Sequence, residues 1–404
     1  MGGVAEGPGR AGGRSGVRLA DLRGHNTALV LDLVRGAGRE GISRPELASR
    51  TGLTVQAVSK ITGRLRQGGL LAAAGRQEST GGKPATALRL VRGAVQALGV
   101  HIDRDGVLVV RTDLTGRALA ERRVPVDLGR GPGDVVDVVA GAMADVGAMA
   151  DVRGGTGGEG ERPPDEEGFA PLLLGAGLAA PGPLDHRTGV LHKVSGFPGL
   201  DGLPLAAALA GRLGLPVVLD KDTNAAALGR ALAGDARAFA YLHLGTGLGA
   251  GLVLDGRLYR GPRTGAGELG HQVVALDGPP CVCGNRGCVE ALCLAALAAG
   301  DTAGAARVLG TAAANLAGLL DVELILLGGH RIAAASDVFV RGVRAAVDAR
   351  ASRTGTERVR VRLAEGADGA EAAGGVVGGG DRVIAEGAAQ LVLAPLFGRL
   401  PAEG

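Results

Sequence analysis

The chain contains no tryptophan, two tyrosines and five phenylalanines in 404 residues, so stacking on aromatic rings has little material and a core must be packed from Ala, Val and Leu. Four cysteines are too few, at this length, for a disulfide scaffold. Long apolar runs are missing as well. No window approaches the roughly 18 uninterrupted apolar residues of a spanning helix, which argues against an integral membrane protein. Residues 1–16 (MGGVAEGPGRAGGRSG) lack the apolar centre of a secretory signal and read as a disordered tail on a chain that stays in the cytoplasm. A large net charge is absent too, 44 Lys+Arg against 41 Asp+Glu giving +3. What abounds is glycine, 74 residues, interspersed with apolar runs rather than repeated in tandem, which argues against a disordered chain. The length leaves room for two or three domains.

The near-neutral total hides an asymmetry. Residues 14–92 hold 14 Lys+Arg against 5 Asp+Glu, a net charge of +9; residues 1–13 are neutral, so residues 93–404 carry −6. A small basic module on a larger acidic body suits contact with a polyanion, although a merely soluble Arg-rich domain has the same arithmetic.

Inside the basic module, residues 17–92, apolar spacing over Asn26–Val34 predicts a first helix. Ser43 with Glu46 three residues on is a capping box that opens a second, about Arg44–Arg50, which stops at Thr51-Gly52-Leu53. Thr54 caps a third helix running to about Gln67. Along it Val55, Val58, Ile61 and Leu65 form one stripe, which leaves Gln56, Ser59, Lys60 and Gly63 on the opposite face, flanked by Arg64. Leu70–Ala74 and Ala87–Val91, on either side of Gly81-Gly82-Lys83-Pro84, predict a two-stranded wing. Such a winged helix-turn-helix lays its third helix in the major groove of double-stranded DNA and sets basic residues, here Arg64 and Lys83, on phosphate. The alternative is a winged helix kept for protein contacts only.

Residues 93–400 read as α/β. Strands are predicted at about Ala97–Ile102, Val107–Thr112, Ala118–Val124 and Leu172–Gly175, with a helix at Val135–Met149. A second set runs through Val217–Leu219, a helix after Asp222, a hairpin of Phe239–Leu244 with Ala250–Leu254, and a buried strand at Leu324–Leu327, so the two halves match in outline. Between them residues 152–168 (VRGGTGGEGERPPDEEG) combine Gly, Pro and acids without periodicity, the pattern of a mobile surface insertion.

Three of the four cysteines fall within eight residues, Cys281, Cys283 and Cys288, ten residues after His271. Three thiolates and one imidazole close a tetrahedral zinc site with no open position, hence one structural rather than catalytic ion per chain. Cys293 is left over and reads as a small core residue. The run Gly267-Glu268-Leu269-Gly270-His271, followed by Cys281-Val282-Cys283-Gly284-Asn285-Arg286-Gly287-Cys288, resembles the ROK family, named for repressors, open reading frames and sugar kinases. Arg23-Gly24-His25-Asn26, Thr51-Gly52-Leu53, Gly81-Gly82-Lys83-Pro84 and Leu327-Gly328-Gly329 are similar to that family's repressors. The resemblance implies an actin-like sugar-kinase fold of two ribonuclease H-like lobes around a cleft, behind the N-terminal winged helix-turn-helix.

It also implies roles. Asp220-Lys221-Asp222-Thr223-Asn224-Ala225 resembles the segment that carries the kinases' catalytic base, which puts Asp222 at that position; Glu268, His271 and Glu290 match the residues that hold sugar hydroxyls, with His271 reaching zinc through its other ring nitrogen. Two positions depart: the family's Asn before the base is Lys221, and the Asn of its Asn-Leu-Pro-Gly-Trp segment is Gly196. The glycine loop Gly245-Thr246-Gly247 is intact and either cradles phosphate or is a hairpin kept for packing, the reading favoured here. The first phosphate loop, Asp-Ile-Gly-Gly-Thr in the kinases, is His101-Ile102-Asp103-Arg104-Asp105, whose carboxylates repel a triphosphate. The expectation is a DNA-binding repressor, homodimeric or homotetrameric, that senses a sugar or sugar derivative without transferring phosphate to it. An active sugar kinase with an attached DNA-binding domain, or a scaffold that has lost both ligands, are the alternatives.

Overall fold

The computed structural model describes residues 24–76, 86–104, 106–149, 171–194, 196–364 and 379–399. The tail at 1–16, Lys83 and the insertion at 152–168 lie outside the described residues. The chain divides near Val95 into two units.

In the first unit α1 (His25–Gly36) buries Val30, Leu31 and Val34. After β1 (Ile42–Ser43), the Ser43 hydroxyl accepts the Glu46 N–H at 3.4 Å and opens α2 (Arg44–Thr51). Gly52 ends it at φ 70, a left-handed conformation that favours a residue without Cβ. Thr54 accepts the Ala57 N–H at 3.2 Å and opens α3 (Val55–Gln67). The Arg44 guanidinium donates to the buried Thr62 hydroxyl at 3.1 Å and fastens α2 to α3. β2 (Leu71–Arg76) and β3 (Thr86–Leu90) pair antiparallel, and β1 adds to β3, so the sheet has three strands where the sequence predicts two. One expectation fails: Val55 is not in the core stripe. It is 57% exposed, and the buried set is Val58, Ile61, Thr62 and Leu65. Val55 lies about 60° round the helix from Val58, at the edge of the stripe, and helical period alone does not say how wide the buried arc is.

The second unit opens with β4 (Val95–Asp103), β5 (Gly106–Asp113) and β6 (Ala118–Val124), then α4 (Pro132–Ala148) and β7 (Leu172–Ala180). A short hairpin, β8 (Leu184–Asp185) with β9 (Val190–Leu191), leads to α5 (Leu205–Leu213), β10 (Val217–Lys221) and α6 (Asp222–Ala233). The second half repeats the plan with β11 (Phe239–Leu244), β12 (Leu248–Leu254), β13 (Arg257–Tyr259), α7 (Val289–Ala298), α8 (Thr302–Leu320), β14 (Leu324–Gly328), α9 (His330–Ala333), α10 (Ser336–Thr354), β15 (Arg360–Leu363) and α11 (Gly379–Leu393). Each sheet is an antiparallel meander extended by two parallel strands, in the orders β6-β5-β4-β7-β10 and β13-β12-β11-β14-β15. This duplicated order is the two-lobed, actin-like sugar-kinase fold.

Each lobe has its own core, Val100, Val109, Met143 and Leu178 in the first and Leu242, Leu327, Phe339 and Val343 in the second. The helices that follow the outer strands cross over. α6, which leaves the first sheet at β10, packs on β12, where Gly251 lies against Thr223; α11 packs on the first sheet, where Gly99 and Gly177 lie against Ala385 and Ala388. α6 and α11 meet each other at Gly229 and Gly387, where an added Cβ on Gly229 would stand 3.0 Å from the Gly387 Cα. The glycine-rich composition is therefore spent on backbone-to-backbone approach, in place of the large side chains the chain lacks. α8 is apolar enough to cross a membrane by length and composition, yet it buries Leu309, Ala312, Ala313 and Leu316 within the second lobe and is a core helix.

Candidate effector site and metal centre

The segment between β13 and α7 folds back on itself through backbone bonds: Cys281 N–H to Asn285 C=O at 2.8 Å, Gly284 N–H to Cys281 C=O at 3.0 Å, and Val289 N–H to Gln272 C=O at 2.9 Å. These turns bring together the four residues that the sequence groups. His271 Nδ1 lies 3.6 Å from Cys281 Sγ, Cys283 Sγ lies 3.7 Å from Cys288 Sγ, and all four ligand atoms fall within 4.8 Å of one another. Ligands at about 2.3 Å (sulfur) and about 2.0 Å (nitrogen) from a tetrahedral ion stand about 3.8 and 3.5 Å apart, so donor set and spacing both fit such an ion. The Asn285 backbone N–H holds the Cys283 thiol below its ordinary range, while burial pushes that of Cys288 up to about 12. A metal entering here must displace a proton from Cys288. Cys293 stays outside the cluster, buried with Sγ 3.5 Å from the Ala305 carbonyl.

Glu290 stands in the first turn of α7, two residues after Cys288, so the cluster anchors this residue as well as His271. Its Oε2 accepts the Leu248 N–H at 2.7 Å, which ties it to the glycine loop. Glu268 Oε1 accepts from Lys221 Nζ at 2.6 Å; the same ammonium, almost wholly buried, donates to the Ala266 carbonyl at 2.8 Å. The Lys that replaces the family's Asn thus takes one oxygen of an expected hydroxyl ligand. Asp222 stands at the first turn of α6 with Oδ1 accepting the Thr223 N–H at 2.6 Å. Its strand end is braced by buried Asp220, which accepts from Asn224 Nδ2 at 2.8 Å and from Arg260 Nε at 2.6 Å. Two other departures are neighbours: Gly196, at φ 84, lies against the Arg104 side chain. Sequence reading counted these as separate losses.

The phosphate side differs. Gly245–Gly247 is the three-residue turn of the β11–β12 hairpin, closed by Gly245 N–H to Gly247 C=O at 2.9 Å and held by Arg331 Nε on the Gly245 carbonyl at 2.9 Å. The Thr246 hydroxyl donates to Asp103 Oδ1 at 3.1 Å. A carboxylate of the chain itself therefore occupies the hydroxyl that a phosphate would need. Beneath it lies a polar group that the sequence reading missed: His101, His243, Tyr241 and Asp381, all buried. Tyr241 and His243 Nδ1 stand 3.1 Å apart, and His101 Nδ1 is 3.7 Å from Asp381 Oδ1. Burial raises the Tyr241 phenol and lowers the His243 imidazole. Burial works against the Asp381 carboxylate, but His101 and the Arg123 guanidinium at 2.5 Å outweigh it and hold its pKa below the usual range. The available signal was polar residues inside strands that are otherwise apolar on both faces, HID in β4 and YLHL in β11.

Residues 166–303 match the ROK family. A putative xylose repressor of Caldicellulosiruptor sp. (strain Rt8B.4) is 28% identical over 252 residues, 62% of this chain and 59% of that protein. The first curated relatives, all named as xylose repressors, are matched over 59–63% of their own length. A solved ROK family transcriptional regulator, described as a homolog of E. coli MLC protein, superposes with a TM-score of 0.68 at 22% identity, over 92% of this chain and 96% of that one, a likeness of fold. A glucokinase of Halalkalibacterium halodurans is 32% identical over 254 residues, 52% of this chain and 75% of the enzyme. Cysteine cluster, duplicated sheets and this last match converge, and the chain belongs to the ROK family.

Proposed function

We propose that the protein is a DNA-binding transcriptional repressor of the cytoplasm whose second unit binds a sugar or sugar derivative and transfers no phosphoryl group to it. The observation that carries the second half is the Thr246–Asp103 hydrogen bond, with His101 standing where the kinases place their phosphate-loop Asp. Hydroxyl recognition needs only fixed donors and acceptors, the role assigned to Asp222, Glu268, His271 and Glu290. Phosphoryl transfer needs in addition a metal-bridged triphosphate held in line. His271, Cys281, Cys283 and Cys288 would hold one zinc, whose contribution is to fix the His271 ring and the start of α7 rather than to polarise a substrate.

The DNA-binding half rests on α3, whose outer face carries exposed Gln56, Ser59, Lys60, Arg64 and Arg66. Lys83 is assigned to phosphate by its place in the wing sequence. Two chains read a near-palindromic operator whose half-sites lie about one helical turn apart, as a homodimer or a pair of dimers. Effector binding closes the two lobes and alters the spacing of the paired winged helices. Selection of random duplexes with the full chain, repeated over a range of salt, tests this reading. A palindromic consensus and an affinity that falls steeply with salt are expected; binding indifferent to ionic strength overturns it. The second reading, an active sugar kinase, is favoured by Asp222 and the unbroken Gly245–Gly247 loop. ATP-dependent phosphorylation of any member of a sugar panel by the native chain, abolished in Asp222→Asn, would establish it.

A further inference from the structure

The exposed valine at the start of α3 has no role in the core. The outer face of α3 is otherwise polar: Gln56, Ser59, Lys60, Arg64, Arg66 and Gln67 are all exposed, and Val55 at 57% is its one large apolar side chain. At 100° per residue Val55 and Gln56 flank Ser59 and Gly63, with Ser59 nearest the middle of the arc. The face is thin there, since a Cβ added at Gly63 would meet nothing within 4 Å. The Thr54 cap, the buried Val58, Ile61 and Leu65, and the Arg44–Thr62 bond hold the helix in one orientation.

In a helix-turn-helix the N-terminal residues of the recognition helix are those that reach base edges. An isopropyl group there has no hydrogen bond to offer. Its complement in the major groove is the one apolar feature that any base edge presents, the C5-methyl of thymine. Gln56, one residue on, carries the amide that pairs with N6 and N7 of adenine. We propose that Val55 is a specificity-determining residue that reads a thymine methyl group in each operator half-site, beside an adenine read by Gln56. The inference rests on the DNA-binding reading of α3 above and adds to it the base that the exposed valine selects.

The test uses the full-length chain and the duplex it selects. Each thymine in the half-site is replaced in turn by deoxyuridine, which removes the methyl and leaves base pairing intact, and affinity is measured for the native chain, Val55→Ala and Val55→Thr. At one thymine per half-site the native chain is expected to lose about fourfold, the value of one buried methyl group. Val55→Ala, a change at an exposed position, should bind the thymine duplex more weakly and become insensitive to deoxyuridine there, while Val55→Thr, which keeps one methyl, falls between. Native binding unchanged by every deoxyuridine, or the same sensitivity retained in Val55→Ala, overturns the role of Val55 and leaves DNA binding standing. If no duplex is selected at all, both readings fall.

Discussion

The two ends of the second unit's candidate site have changed in opposite ways. On one side lie Asp222, Glu268, His271 and Glu290, the residues proposed to hold hydroxyls, with His271 in the cysteine cluster and Glu290 two residues beyond it. On the other, proposed as the remnant of a phosphate site, Asp103 holds Thr246 and His101 pairs with buried Asp381. A cleft can keep its selectivity for a ligand while losing the reaction performed on it, because recognition and transfer draw on separate residues.

The cysteine cluster is the most sensitive point. Cys283→Ser should abolish stoichiometric zinc and lower stability by at least about 3 kcal/mol, with carbohydrate binding lost alongside because His271 and Glu290 lose their anchor. Metal analysis and thermal unfolding check it; a folded native chain without zinc would remove the site. Next comes Asp222→Asn, which deprives the effector of one charge-assisted hydrogen bond and should weaken binding about ten- to a hundredfold by calorimetry, with the unfolding midpoint of the free protein unchanged. The phosphate side is sharpened by reversal. Asp103→Gly with Arg104→Gly frees Thr246 and should raise the affinity for magnesium-ATP above that of the native chain, as read by calorimetry. Unaltered nucleotide binding in that variant would place the block elsewhere.

The smallest effect is a pH dependence. Burial lowers the His243 pKa in the folded chain, so the unfolded chain takes up a proton first, near 6.5. The stability tied to neutral His243 is present above about pH 6.5 and is lost as pH falls through that value towards the folded pKa. Asp381, also lowered, loses its contribution only further down, below its ordinary 3.8. Zinc-saturated protein should therefore melt earlier at pH 5.5 than at pH 7.5, and His243→Gln should flatten the slope.

Local signals were legible in the sequence because their causes are local. Ser43, Thr54 and Gly52 cap the helices that they predict, and the cysteine spacing needs only tight turns to close on His271. What escaped was set by partners far along the chain. Thr246 meets Asp103 across 143 residues, and Glu268 meets Lys221 across 47. No periodicity encodes such pairs, so Asp103 reads as mere repulsion and Lys221 as mere loss until the fold supplies their partners. Val55 escaped for another reason: it stands at the edge of the apolar stripe, and helical period does not say how wide the buried arc is.

The crossing of α6 and α11 has a consequence for speed. Helices that interlock through large side chains must release rotamers before they slide, and each release adds to the barrier. At Gly229 and Gly387 there are no rotamers to release, so resistance to sliding comes from the buried leucines beside them, Leu228 and Leu391. Shortening either leucine, rather than altering either glycine, would therefore ease movement between the two helices.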